Sequence, residues 1–199
     1  MKKIKLSTSF KKLPADLYTP VGIYLRLRDK FRDTILLEST DHHTSENSFS
    51  FIAINAIAGM EITSNEEVEC KYPSSDPEKI KLADTEVADL IWNFMNRFEV
   101  TTSLKEEAYA QGLFGYTSFD SVTFFETVKF RDKEYRLNSG DYKEFIPLMR
   151  YRLYQYVIAI DHFRDEMLLL ENHVDGLNGN KQQIEDIIFG RFTRRAKRA

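Results

Sequence analysis

Residues 35–62, ILLESTDHHTSENSFSFIAINAIAGMEI, decide the fold of this chain. Ile35 to Leu37 and Phe49 to Ile54 are apolar runs short enough for buried strands and too short for core helices. Asp41 to Asn47 between them is charged and polar and carries two histidines, which makes a hairpin-type connection longer than a two-residue turn. Glu38 and Ser39 fall where the first strand stops. A carboxylate and a hydroxyl at that place suit a small zwitterion, with Glu38 facing its ammonium group. A solvated strand end is the commoner meaning of the same pair.

Working outward, residues 1–18 read as a basic, extended lead-in, with Leu13-Pro14 disfavouring helix. Thr19-Pro20 then starts a helix over 20–30, threonine capping the first turn and proline losing no needed donor. Its sheet-facing residues are predicted as Val21, Tyr24, Leu25 and Arg28. After the hairpin, Gly59 permits a bend before Met60 to Ile62. Val68, Cys70 and Tyr72 alternate with charged neighbours at the period of a half-exposed strand. Residues 73–84 read as loop. A helix over 85–98, capped by Asp84 or Thr85, buries Val87, Leu90, Ile91, Phe94, Met95 and Phe98. In GLFGYTSFDSVTFFE, residues 112–126, Gly112 and Gly115 mark close backbone packing or a turn, and a short helix presents Val122 and Phe125 inward.

Residues 129–144 form a charged excursion. The strongest strand pair follows, IPLMRYRLYQYVIAIDHF and EMLLLEN, with Arg150, Arg152, Tyr154, Tyr156, Ile158 and Ile160 on one face and Tyr151 to Ala159 alternating on the other. A last helix carries Ile184, Ile187, Ile188 and Phe192 and ends in a basic run. The expected architecture is α+β: a largely antiparallel β-sheet or sandwich with helices near 20–30, 85–98 and 180–196 packed on it, forming one domain over residues 1–199.

With 42% hydrophobic and 30% charged residues the chain has ordinary globular composition, and a net charge of −3 provides no field for nucleic acid or anionic membrane. Cys70 stands alone, which excludes an internal disulfide and a cysteine-based zinc cage and fits a cytoplasmic protein. The start lacks the apolar run of a signal peptide, and no stretch of about 18 apolar residues occurs. His42 and His43 are neighbours in a loop without a third ligand at metal spacing and read as solvent-facing turn residues, and His162 falls in the Asp161–Asp165 turn. No nucleophile signature, phosphate loop or paired carboxylates stand out. Arginine and tyrosine on the 149–161 strand are reminiscent of single-stranded nucleic-acid stacking, which the acidic balance opposes.

Three segments in order, LPADLYTPVGIYLRLRD, LLES with SFSFIAINAIA, and GLFGYTSFDSVTFFE, resemble the amino-terminal domain of anthranilate synthase component I. The resemblance implies a regulatory and scaffold domain in which tryptophan, the feedback inhibitor, binds at Leu37, Glu38 and Ser39 and at Ser48, Phe49 and Ser50. Many family members carry a basic residue where this chain has Ser48. The resemblance further implies that chorismate, magnesium and the catalytic acid and base residues belong to a carboxy-terminal chorismate-binding domain, so this chain has no cofactor or catalytic residue of its own. It is read as a stand-alone amino-terminal portion. The partners implied are that domain and a glutamine amidotransferase subunit, component II. Together they make anthranilate and pyruvate from chorismate and glutamine-derived ammonia. The same domain of aminodeoxychorismate synthase, or an independent small-molecule or protein-binding module, are the alternatives.

Overall fold

The computed structural model describes residues 3–39, 48–63, 67–82, 86–127 and 146–190. The polar turn at 41–47, the Asp84 or Thr85 cap, the 129–144 excursion, Phe192 and the basic end lie outside the described residues. The chain divides into two compact units. The first comprises Ile4–Ile57, Glu99–Gly112 and Leu153–Ala199, and the second Met1–Lys3, Ala58–Phe98 and Leu113–Arg152. In element order the chain forms β1 (Ile4–Pro14), α1 (Pro20–Leu27), β2 (Ile35–Glu38), β3 (Phe49–Ile62), β4 (Glu67–Lys71) and β5 (Glu78–Lys81). Then come α2 (Val87–Met95), β6 (Phe98–Val100), β7 (Phe114–Thr117), β8 (Met149–Asp161), β9 (Glu166–His173) and α3 (Lys181–Ile188). The fold is α+β with a mostly antiparallel sheet, as expected. No described helix is long and apolar enough to cross a membrane.

In the first unit, β9 lies between β8 and β1, antiparallel to both, and β2 pairs antiparallel with β3. Directly opposed residues share a face, so Ile158 with Leu169, Ile160 with Met167, and Leu36 with Ile52 define one side. Helices α1 and α3 cover that side, and Ile23, Leu27, Ile184, Ile187 and Ile188 complete a core with the strand residues. Fully burying such a side chain contributes about 1.5–3 kcal/mol. Thr19 caps α1 by accepting the Gly22 N–H at 3.1 Å, and Pro20 opens the helix. The buried face differs from the expected one. Ile23 and Leu27 point inward and Tyr24, as expected, packs partly buried beside them, while Val21, Leu25 and Arg28 are exposed, so the buried stripe runs along 23, 24 and 27.

β1 is a full strand where the sequence reads as a lead-in. Six of its residues are lysine, serine or threonine, so apolar alternation is weak. It pairs through its backbone with β9, from Ser7 opposite His173 to Pro14 opposite Glu166, with the strand-ending proline at the last position. β3 runs through Gly59 without a break. The irregular residue is Asn55, at φ 61°, whose side-chain amide donates to Gln155 Oε1 at 2.6 Å. Asparagine tolerates this left-handed backbone better than most residues.

In the second unit, β4 pairs antiparallel with β3 and with β5, a strand inside the stretch expected to be loop. α2 buries Val87, Leu90 and Phe94, and Tyr72 stacks on Phe94 at 5.0 Å. Met95 is exposed and Phe98 belongs to β6, which shortens the helix expected over 85–98. The 119–124 segment is a 3₁₀ turn that buries Ser121, with Val122 partly covered and Phe125 exposed. Ser121 Oγ donates to the Leu148 carbonyl at 2.6 Å. Glu61 receives Arg150 at 2.8 and 3.2 Å and Arg152 at 2.9 Å, so these strand arginines face a carboxylate.

A Cβ on Gly115 would lie 1.8 Å from the Arg150 carbonyl oxygen across the β7–β8 pair. Backbone cannot yield as a side chain does, so Gly115→Ala is expected to lower stability by about 1–3 kcal/mol in urea unfolding, whereas Gly112→Ala, with nothing within 4 Å, is expected to leave that clash term out. Burial, with Glu78 and Glu69 adding to it, pushes the Cys70 thiol from 9.0 up to about 11. From about pH 9 to about 11 the unfolded chain releases this proton while the folded chain holds it, so stability falls as pH rises through that window. The pH dependence of the urea midpoint should therefore be steeper in the native chain than in Cys70→Ala.

Candidate functional site

The period of two along β2 and β3 divides the sequence-predicted site residues between two faces. Glu38 lies opposite Ser50 on the helix-covered face, and Ser48 shares that parity. Leu37 lies opposite Phe51 on the other face, with Phe49. Ser39 is half-buried directly after β2. The structure therefore brings Glu38, Ser48 and Ser50 to one side and Leu37 and Phe49 to the other.

On the helix-covered side, Ser50 is fully buried, and its hydroxyl lies 2.7 Å from His162 Nε2. The His162 backbone N–H donates to the Ser48 carbonyl at 3.0 Å. His162 lies in the β8–β9 turn, as expected, and ties that turn to the start of β3. Ser48 is 4% exposed, and its hydroxyl has no hydrogen-bond partner among the described residues. Glu38 is exposed.

On the open side, Phe49 and Phe51 stack at 5.9 Å and both meet the Tyr109 ring, Phe49 at 5.2 Å. Beside this aromatic group is a small, open concavity of about 80 Å³, lined in part by Ala159 and Leu168. Its walls carry Lys12, Lys105 and Arg164 together with Glu106, Asp161 and Glu166. Lys12 pairs with Glu166 at 3.5 Å and Arg164 with Asp161 at 3.9 Å. Asp161 Oδ1 also accepts the Phe163 and Arg164 N–H groups at 3.0 and 3.1 Å, which shapes the turn.

The turn that carries Tyr109 is tied to β9 by Asn172, which is fully buried and bonds the adjacent Ala110. The Asn172 amide donates to the Ala110 carbonyl at 2.7 Å and the Tyr154 carbonyl at 2.8 Å, and its oxygen accepts the Thr8 hydroxyl at 2.8 Å. Gln111 adds bonds to Thr8 and Thr102, and Glu107 closes the 3₁₀ turn over 107–110 by accepting the Leu104 N–H. On the opposite face, Glu171 and Tyr156 grip the approach to α3. Tyr156 accepts the Asn180 N–H, and its pKa is raised by burial, with Glu171 adding to the rise.

Among the described residues no group of three or more histidine, cysteine, aspartate or glutamate side chains offers a metal site. Lys105, Glu106, Tyr109 and Asn172 carried no motif in the sequence. Asn172 does leave a trace, because asparagine is depleted in strands and stands here at the end of the apolar run EMLLLEN.

No protein-family model matches the chain. A curated protein does match, the anthranilate synthase component 1 of Lactococcus lactis subsp. lactis (strain IL1403), at 24% identity over 177 residues and 86% of this chain. This chain is similar to anthranilate synthase component 1. It spans 34% of that relative's length.

Replacing Asn172 with alanine removes three buried hydrogen bonds at once, to the Ala110 and Tyr154 carbonyls and from the Thr8 hydroxyl, while Thr8 keeps its bond from Gln111. At about 1–3 kcal/mol for each unsatisfied buried group, Asn172→Ala is expected to destabilise the chain by about 3 kcal/mol or more in urea unfolding. A loss under about 1 kcal/mol would mean the network contributes little.

Proposed function

We propose that this chain is the regulatory and scaffold part of a chorismate-using enzyme of the anthranilate synthase component 1 kind, in the cytoplasm. The observation that carries this reading is the similarity over 86% of the chain. In this reading tryptophan is the ligand, read by the β2 end at Leu37, Glu38 and Ser39 and the β3 start at Ser48, Phe49 and Ser50. Chorismate, magnesium and the catalytic groups belong to a chorismate-binding domain, and a glutamine amidotransferase subunit supplies ammonia. The part played by this chain is to bind the inhibitor and transmit its presence.

Ser48 supplies no positive charge where many members of the resembled family carry one. A missing charge-assisted contact of about 1.5–3 kcal/mol weakens binding by one to two orders of magnitude. Calorimetry on residues 1–199 is expected to show tryptophan binding weaker than micromolar, and chorismate with ammonium ion is expected to yield no anthranilate fluorescence. Micromolar binding would contradict the weakened pocket, and anthranilate formation by this chain alone would overturn the assignment of catalysis to another domain.

A further inference from the structure

Between β9 and α3 the chain runs through residues 174–180, VDGLNGN, and Asn178-Gly179 within it is a pair whose amide can become an acid without an enzyme. The step needs a side-chain amide free to turn, a following backbone nitrogen free to attack it, and no side chain on that following residue to block the approach. All three are present. Asn178 and Gly179 are exposed, and neither the Asn178 side chain nor the Gly179 N–H makes a hydrogen bond among the described residues. Asn55 and Asn172, by contrast, have their amides engaged and are followed by Ala56 and His173, which carry side chains.

The backbone is clamped on either side of Gly179. The buried Gln155 donates to the Asn178 carbonyl at 3.1 Å and receives the Asn55 amide, while the Asn180 N–H donates to the Tyr156 hydroxyl. Gln155 and Tyr156 are consecutive on β8, so they hold the loop from opposite faces. Little room is left between them: a Cβ on Gly179 would lie 1.6 Å from Glu171 Oε1 and 3.3 Å from the Tyr156 oxygen. Asn180 also caps α3 by accepting the Gln183 N–H at 3.1 Å, and α3 brings Ile184, Ile187 and Ile188 to the core.

We propose that Asn178 is a site of spontaneous covalent modification and that its isoaspartate product loosens α3. The Gly179 nitrogen attacks Asn178 Cγ and forms an N–Cγ bond; the Cγ–Nδ2 bond breaks, and Nδ2 leaves as ammonia with the proton given up by the Gly179 nitrogen. Solvent water then opens the five-membered imide. Cleavage of the N–Cγ bond gives aspartate, and cleavage of the bond from nitrogen to the Asn178 backbone carbonyl carbon gives isoaspartate. Nothing is oxidised or reduced. In isoaspartate the main chain runs through Cβ and Cγ, which lengthens it between residue 178 and Asn180 by one methylene, about 1.5 Å. The carbonyl that Gln155 binds becomes a free carboxylate, and Glu171 leaves no space for the added atom on its side. The α3 cap at Asn180 is therefore the part displaced.

The test incubates the whole chain in mildly alkaline heavy-oxygen water at body temperature, natively and in urea, and maps peptides by a separation that resolves aspartate from isoaspartate. Native conversion at Asn178 is expected within about tenfold of the rate in urea; a slower native rate would mean that the fold protects the site, and overturns the proposal. Hydrogen exchange of the 184–188 amides is expected to be about tenfold or more faster in the isoaspartate form than in the fresh chain. Fresh Asn178→Asp, which has the new charge on an ordinary backbone, is expected to exchange like the fresh chain, and Asn178→Ser, which has no amide to lose, is expected to stay unchanged on incubation. Isoaspartate formation without faster exchange in α3, or equal loosening in fresh Asn178→Asp, would overturn the proposal.

Discussion

The side-chain amide of Asn172 is the contact on which the first unit's open face depends. It sits inside β9 with every hydrogen-bonding direction but one in use, and its partners come from β1, β8 and the 104–111 turn. A buried amide left unpaired is expensive, so this residue selects one register among strands that would otherwise be held by backbone alone. β1 needs such a device because its apolar alternation is weak. The Thr8 hydroxyl that Asn172 receives sits directly opposite it in the pairing with β9. The same amide fixes the Ala110 carbonyl, and through it the placement of Tyr109 beside Phe49.

Alternation then explains why one sequence segment serves two faces. Residues 48–50 are consecutive, so Phe49 must point away from Ser48 and Ser50, whatever function they have in common. The polar members meet His162 and the covered core, and the aromatic member meets Tyr109 and the open concavity. A site drawn as a list of neighbours along the chain therefore becomes two environments once the strand is pleated.

How much of this was legible in the sequence depends on where apolar periodicity carried the information. β8 is legible with its alternation and β9 as its partner strand, since Tyr156, Ile158 and Ile160 alternate cleanly with Val157 and Ala159. The starts of α1 and α3 were legible from Thr19-Pro20 and the isoleucine spacing. β1 and β5 were not, because Lys, Ser, Thr and Glu dominate them and their pairing is a backbone matter settled by their neighbours. The departure at Asn55 was hidden beside the more conspicuous Gly59, which serves a close approach of the Arg152 side chain and not a bend. In the candidate site, Phe49 was found through the hairpin. Lys105, Glu106 and Tyr109 were not, since residues that meet only through tertiary packing share no spacing along the chain.

We propose that this chain senses the inhibitor of an enzyme similar to anthranilate synthase component 1. The most direct measurement replaces the matching segment of the Lactococcus lactis component 1 with this chain and follows anthranilate formation against tryptophan concentration. The expected chimera makes anthranilate and is inhibited by tryptophan at a higher concentration than the parent. An active chimera whose rate does not respond to tryptophan would contradict it.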